Sequence, residues 1–247
     1  MQEIAAAVAL PIGRLGGGFM ISREAKGFSD ETGLKGWAPY FRGRCGVLGD
    51  VDADVVASAA GFFPAETVRS AWEAGAGLPA ATAAERYAVV AHEYGRRVLG
   101  GFGEAARLAE LLEMVVDAGD VIGAPLFAGW RAVPLPDDAP ARALQLAHVV
   151  RELRNGLHIV AVLGSGLTPL EAVLSGTSAL LPDGEPNAEY FGWPRPFPEV
   201  TEEVRERRAE AERLTDQLMA PAFASLDKGE GEELVALADR AERVAFA

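Results

Sequence analysis

Apolar side chains recur three and four positions apart along most of the chain, and the alternation expected of strands is scarce. The clearest stretch is EAARLAELLEMVVDA over residues 104–118, where Leu108, Leu111, Leu112 and Val115 form a stripe. At 3.6 residues per turn such positions share one face, and that face must be buried against another helix. The residues therefore predict an all-α or mainly α fold.

Glycine and proline punctuate the pattern, since glycine frees φ and proline removes a backbone donor. Helices are expected over 52–60, closed by Gly61, and over 64–75, with Pro64 in the first turn. Further helices are expected over 82–99, over 104–118, and from Ala141 to an Asn155-Gly156 cap. A short helix, LHIVAVLG, should follow that cap. Thr168-Pro169-Leu170-Glu171 has the residues of a capping box with proline at the first helical position. Leu180 to Val200 carries five prolines and predicts irregular chain. A long helix starts near Thr201 and is broken or kinked at Pro221, and the tail adds one more. Gly16-Gly17-Gly18 is expected to be a turn between two short helical pieces. Three parts follow: residues 1–120, a connection over 121–141 rich in Gly, Pro and Asp, and residues 142–247.

The 247 residues include 36 acidic and 23 basic ones, a formal charge of −13. Such a surface opposes generic binding to nucleic acid, which is itself a dense line of negative charge, although a local basic strip stays open. No apolar run reaches the length of a membrane span. The start, MQEIAAAVALPIGRLGGG, carries Glu3 and no basic leader, so no secretory signal is expected there. The lone Cys45 excludes an intrachain disulfide and fits a reducing, cytoplasmic setting.

Two segments share a skeleton. Gly61, Pro64 and Val68 repeat in spacing as Gly166, Pro169 and Val173. Each combines a tight turn, a second helix opened by proline and a branched apolar residue facing the core, as in a helix-turn-helix. The echo is open to internal duplication or to chance agreement. The second helices, AETVRSAW and LEAVLSG, offer little basic charge to a DNA groove.

The run RELRNGLHIVAVLGSGLTPLEAV is similar to the signature of an actinobacterial helix-turn-helix family, mostly uncharacterised and related in fold to MarR-type winged helices. Arg151, Glu152, Arg154, Gly156, His158, Ala161, Gly166, Leu167, Pro169 and Glu171 agree with it, while Leu153 and Asn155 stand where the family has His and Asp. Tyr40, Phe41, Gly43, Arg44, Leu48, Gly49, Phe63, Pro64, Val68 and Trp72 agree with an earlier block, and Glu212, Thr215 and Asp216 with a late one. The resemblance covers about residues 34–240 and implies the architecture of a regulator. It departs where the family carries a wing: this chain has the proline-rich PDGEPNAEYFGWPRPFPEVT instead, so the wing is degenerate or missing.

Chemistry is expected around the histidines. His148 and Glu152 lie four apart on one helical face, with Arg151 beside them, and the chain can bend His158 toward the same cluster. A histidine with a carboxylate partner can move protons near neutral pH. His148, His158 and Glu152 are therefore the candidate catalytic residues, against the alternative of a buried ion-pair network. Arg151 and Arg154 are candidate clamps for a carboxylate or phosphate. Tyr40, Phe63, Tyr190 and Trp193, from three aromatic groups, are candidate ligand contacts. Three metal ligands from His148, Glu152 and His158 make a weaker case, so no metal and no cofactor are expected.

Three functions compete. The leading one is a small-molecule binding protein or enzyme on a helix-turn-helix-derived scaffold, acting by acid–base chemistry on an aromatic or acidic organic molecule. The others are a ligand-responsive transcriptional regulator and a structural partner without a ligand. A homodimer is compatible with all three.

Overall fold

The computed structural model describes residues 1–178 and 181–247. These described residues form fourteen α-helices: α1 Gln2–Ala7, α2 Ala9–Gly18, α3 Arg23–Thr32, α4 Ala38–Cys45, α5 Ala53–Ala60, α6 Ala65–Ala74, α7 Ala80–Leu99, α8 Ala105–Ala118, α9 Pro125–Arg131, α10 Ala139–Gly164, α11 Pro169–Ser175, α12 Glu185–Phe191, α13 Glu202–Phe223 and α14 Lys228–Ala245. Among the described residues there is no strand. A winged helix needs strands for its wing, so the winged-helix expectation is overturned. The proline-rich segment that stands in the wing's place carries α12 instead, and the first residue of the longer stretch expected to be irregular, Leu180, lies outside the described residues.

The 26-residue α10 is the axis of the fold. It packs against α2, α7, α8, α9 and α13. Leu144, Leu146, Val149, Val150 and Leu153 of α10 join Leu108, Leu111, Leu112 and Val115 of α8 in the main core, which also takes in Phe127 and Trp130 of α9. Residues on both sides of the 121–141 stretch share that core.

Local chemistry explains most boundaries. Asp52 caps α5 by accepting from the Asp54 amide, and Gly61 ends it at φ 63°. Thr168 and Glu171 form the capping box of α11. Pro221 lies two residues before the end of α13 and neither breaks it nor starts a new element.

Two glycine sites depart from expectation for one reason. Gly16-Gly17-Gly18 continues α2 rather than turning, and Asn155-Gly156 lies inside α10 rather than capping it. A Cβ on Gly16 would sit 2.6 Å from the Ala147 carbonyl oxygen, and one on Gly156 would sit 2.6 Å from the Ala124 Cα. At both sites the missing side chain lets two backbones approach, and that contact outweighs glycine's poor helix propensity.

Helices α10 and α11 meet at 106° across residues 165–168, with Gly166 left-handed at φ 73°. This is the angle and turn length of a helix-turn-helix. The α5–α6 pair joins two short helices, whereas α10–α11 joins a 26-residue helix to one of seven, and nothing in the fold marks distinct duplicated units. No single helix among the described residues is long and apolar enough to cross a membrane.

Candidate functional site

The Arg44 side chain on α4 reaches Glu152 on α10. The Arg44 Nε donates to Glu152 Oε1 at 2.9 Å and Nη2 donates to Oε2 at 2.7 Å, with both side chains withdrawn from solvent. Arg151 Nη1 adds a third bond to Oε1 at 2.8 Å, and Arg44 Nη1 donates to the Tyr40 hydroxyl at 3.0 Å. Burial alone would raise the Glu152 pKa. The guanidinium of Arg44 and then that of Arg151 outweigh it and hold the carboxyl down at about 2. Glu152 is a fixed anion that orients two arginines.

His148 lies next to this pair but in the core. Its Nδ1–H donates to the Gly16 carbonyl at 3.1 Å, Nδ1 is 3.7 Å from Glu152, and Nε2 is buried without a partner. Phe19 and Trp130 meet the ring edge-on, at centroid distances of 5.1 and 4.5 Å. Burial pushes its pKa down to about 3, so the ring is neutral at physiological pH. His158 is held neutral in another way. Its Nε2 accepts from Arg208 Nη1 at 2.6 Å, which leaves the proton on Nδ1 to donate to Thr215 Oγ1 at 2.7 Å. Burial, then Arg208 and Arg154, push its pKa to about 3. The two histidines belong to separate networks and form no joint acid–base centre. Among the described residues no group of three or more His, Cys, Asp or Glu side chains is placed to hold a metal ion.

The concave site lies on the other side of Arg151. A cavity of about 640 Å³ is walled by Trp37, Tyr40, Phe63, Tyr87, Tyr190 and Phe191, with Arg151 and Lys26 as its charged lining. The rings interlock: Trp37 meets Phe63 at 5.0 Å and Tyr190 at 5.1 Å, and Phe63 meets Phe191 at 4.2 Å. Burial pushes the Tyr40 hydroxyl pKa up, so it is a neutral donor and acceptor. A cavity of this volume, mostly apolar with a few polar groups, has the size and character of a small-molecule site. A smaller chamber of about 240 Å³ adjoins it and shares Tyr40, Phe63, Arg151 and Phe191 as walls. Arg44, His158, Asn187 and Arg208 are among its polar lining residues, with Asn155, Thr177 and Ser178, and Ala172 and Val173 of α11 form part of its apolar wall.

The sequence candidates thus divide. Tyr40, Phe63, Tyr190 and Arg151 line the large cavity, and His158 lines the small chamber. Glu152 stands behind Arg151. His148 lines neither space. Arg154 lines neither and is tied to Asp216 at 2.7 Å and Glu212 at 3.0 Å. Trp193 lines neither: its indole N–H donates to the Phe62 carbonyl at 3.0 Å, and its ring covers the small cluster around Val173, Leu174 and Ala188. Sequence reasoning missed Lys26, Arg208 and Asn187 as lining, and no spacing in the sequence signals them. Cys45 is fully buried, and burial pushes its thiol up to about 12, which leaves it unreactive.

The chain belongs to a helix-turn-helix family, which it matches over residues 12–247. No curated protein and no solved structure matches it.

Proposed function

We propose that the protein is a ligand-responsive regulator of its helix-turn-helix family, with the aromatic cavity as the effector site. The observation that carries this reading is the position of α11. Its inner face, Ala172 and Val173, walls the small chamber, and its partner α10 supplies Arg151 to both spaces. An occupant that reaches the small chamber therefore touches the elements on either side of the 106° turn, α10 at Arg151 and α11 at Ala172 and Val173, and a ligand shifts a conformational equilibrium only through such differential contacts.

A second reading is a small-molecule binding protein of the same fold that makes no contact with DNA. It is favoured by α11 itself, whose one charged residue is Glu171, engaged in the capping box. Acid–base catalysis through His148, His158 and Glu152 has less support, because each is locked in its protonation state by burial or by hydrogen bonds.

The two readings separate in a mobility-shift assay at low salt. DNA from upstream of the protein's own gene is incubated with purified protein, with and without 2-naphthoate or 2-naphthamide. A regulator shifts the DNA, and one of the compounds changes the shift. Absence of any shift at low salt removes the regulator reading and leaves the binding protein.

A further inference from the structure

We propose that the small chamber is a carboxylate subsite, so that the molecule accepted by the aromatic cavity is an aromatic monocarboxylic acid. This rests on the cavity being a ligand site and adds the chemical class of the ligand. Arg44, Arg151 and Arg208 line the chamber, and among the described residues no Asp or Glu does. In a chain with 36 acidic and 23 basic residues, that local reversal of charge sets the chamber apart from the surface.

The surrounding ion pairs leave one positive charge over. Glu152 is shared by Arg44 and Arg151, Glu212 by Arg154 and Arg208, and Asp216 belongs to Arg154. Four guanidiniums thus face three carboxylates, and His158 is neutral. Arg151 is the group with donors to spare. It gives one hydrogen bond, from Nη1 to Glu152, and is a quarter exposed toward the cavities. A guanidinium offers five N–H donors in a planar fork, so the bond to Glu152 uses only a small part of its capacity. Asn187 adds an independent demand: it is 7% exposed, lines the chamber, and its Oδ1 is buried without a donor. A carboxylate has no proton to give Oδ1, so this amide meets the proposed occupant after a half-turn that presents its NH₂ as the donor. One surplus charge matches a monoanion, and the shared walls at Tyr40, Phe63 and Phe191 let its ring lie in the aromatic cavity.

The test is a calorimetric titration of the purified protein at pH 7.5 with matched pairs: benzoate and benzamide, 2-naphthoate and 2-naphthamide. In the wild type at least one acid should bind ten-fold or more tightly than its amide. Arg151→Gln should bring acid and amide within about two-fold of each other, and Arg208→Gln should reduce the preference, both variants melting as a folded protein does. Equal binding of acid and amide to the wild type would overturn the carboxylate subsite while leaving the cavity a ligand site. Binding of neither up to millimolar concentration would overturn both. Tighter binding of 2-naphthyl phosphate than of 2-naphthoate would overturn the monoanion assignment.

Discussion

Arg44 on α4 grips Glu152 on α10 with two hydrogen bonds of 2.9 and 2.7 Å, both side chains almost wholly buried. The pair joins residues 108 positions apart and fixes the wall from which Arg151 extends into the cavity. Buried ion pairs are not reliable sources of net stability, because desolvation offsets their attraction, but losing one partner strands a charge. Glu152→Ala should therefore destabilise the fold by about 3–5 kcal/mol in urea unfolding. The double variant Arg44→Met, Glu152→Leu should recover most of that loss. Equal loss in both would mean that packing, not charge, is what the pair contributes.

Stability should fall as pH drops below neutrality. His148 and His158 have folded pKa values of about 3, against 6.5 for an ordinary imidazole. A histidine with a depressed pKa takes up its proton on unfolding, so stability is fully present above about pH 6.5 and declines toward pH 3. Each contributes a slope of about 1.4 kcal/mol per pH unit within that window. Glu152, at about 2 in the folded chain, adds its own loss below its ordinary value of 4.5. Melting temperatures measured in one buffer series from pH 7.5 to 4 check this. A flat profile between 7 and 5 would show that the histidines are not held neutral.

The glycine contacts make opposite predictions for one kind of substitution. Gly16→Ala places a methyl group against the Ala147 backbone and should cost about 1–3 kcal/mol, despite alanine's helix propensity. Gly27→Ala, in α3 with nothing within 4 Å, should stabilise by up to about 1 kcal/mol. Thermal melts of the two variants against the parent decide the matter.

These sites also show what could be read from the sequence. The Thr168 cap and the Gly61 stop were readable because each depends on residues within four positions. Gly16-Gly17-Gly18 and Asn155-Gly156 were not, because what keeps them helical is a backbone far away in the chain, at Ala147 and at Ala124. The candidate site divides the same way. Aromatic residues near positions 37–41, 63 and 190–191 could be singled out one by one, but only the fold brings Trp37, Phe63 and Tyr190 together. The His148–Glu152 spacing was visible, yet the partner that claims Glu152 is Arg44, on another helix. Trp193 drew notice as a loop aromatic, and a hydrogen bond to Phe62 turns it away from the cavity.

The aromatic wall should matter to ligand more than to fold. Tyr190 is about half exposed, at 48%, and meets Trp37 edge-on at 5.1 Å. Tyr190→Ala should leave the melting temperature within a few degrees of the parent and weaken 2-naphthoate binding by about ten-fold, the size of one aromatic contact. Calorimetry of the variant provides the number. Unchanged affinity would place the ring of the bound molecule away from α12.

The account turns on where a bound aromatic acid sits. A crystal structure of the protein grown with 2-naphthoate answers that most directly. The predicted result is density for the ring among Trp37, Tyr40 and Phe63, with the carboxylate within hydrogen-bond distance of Arg151. Density elsewhere on the protein, with that cavity holding only solvent, would contradict it.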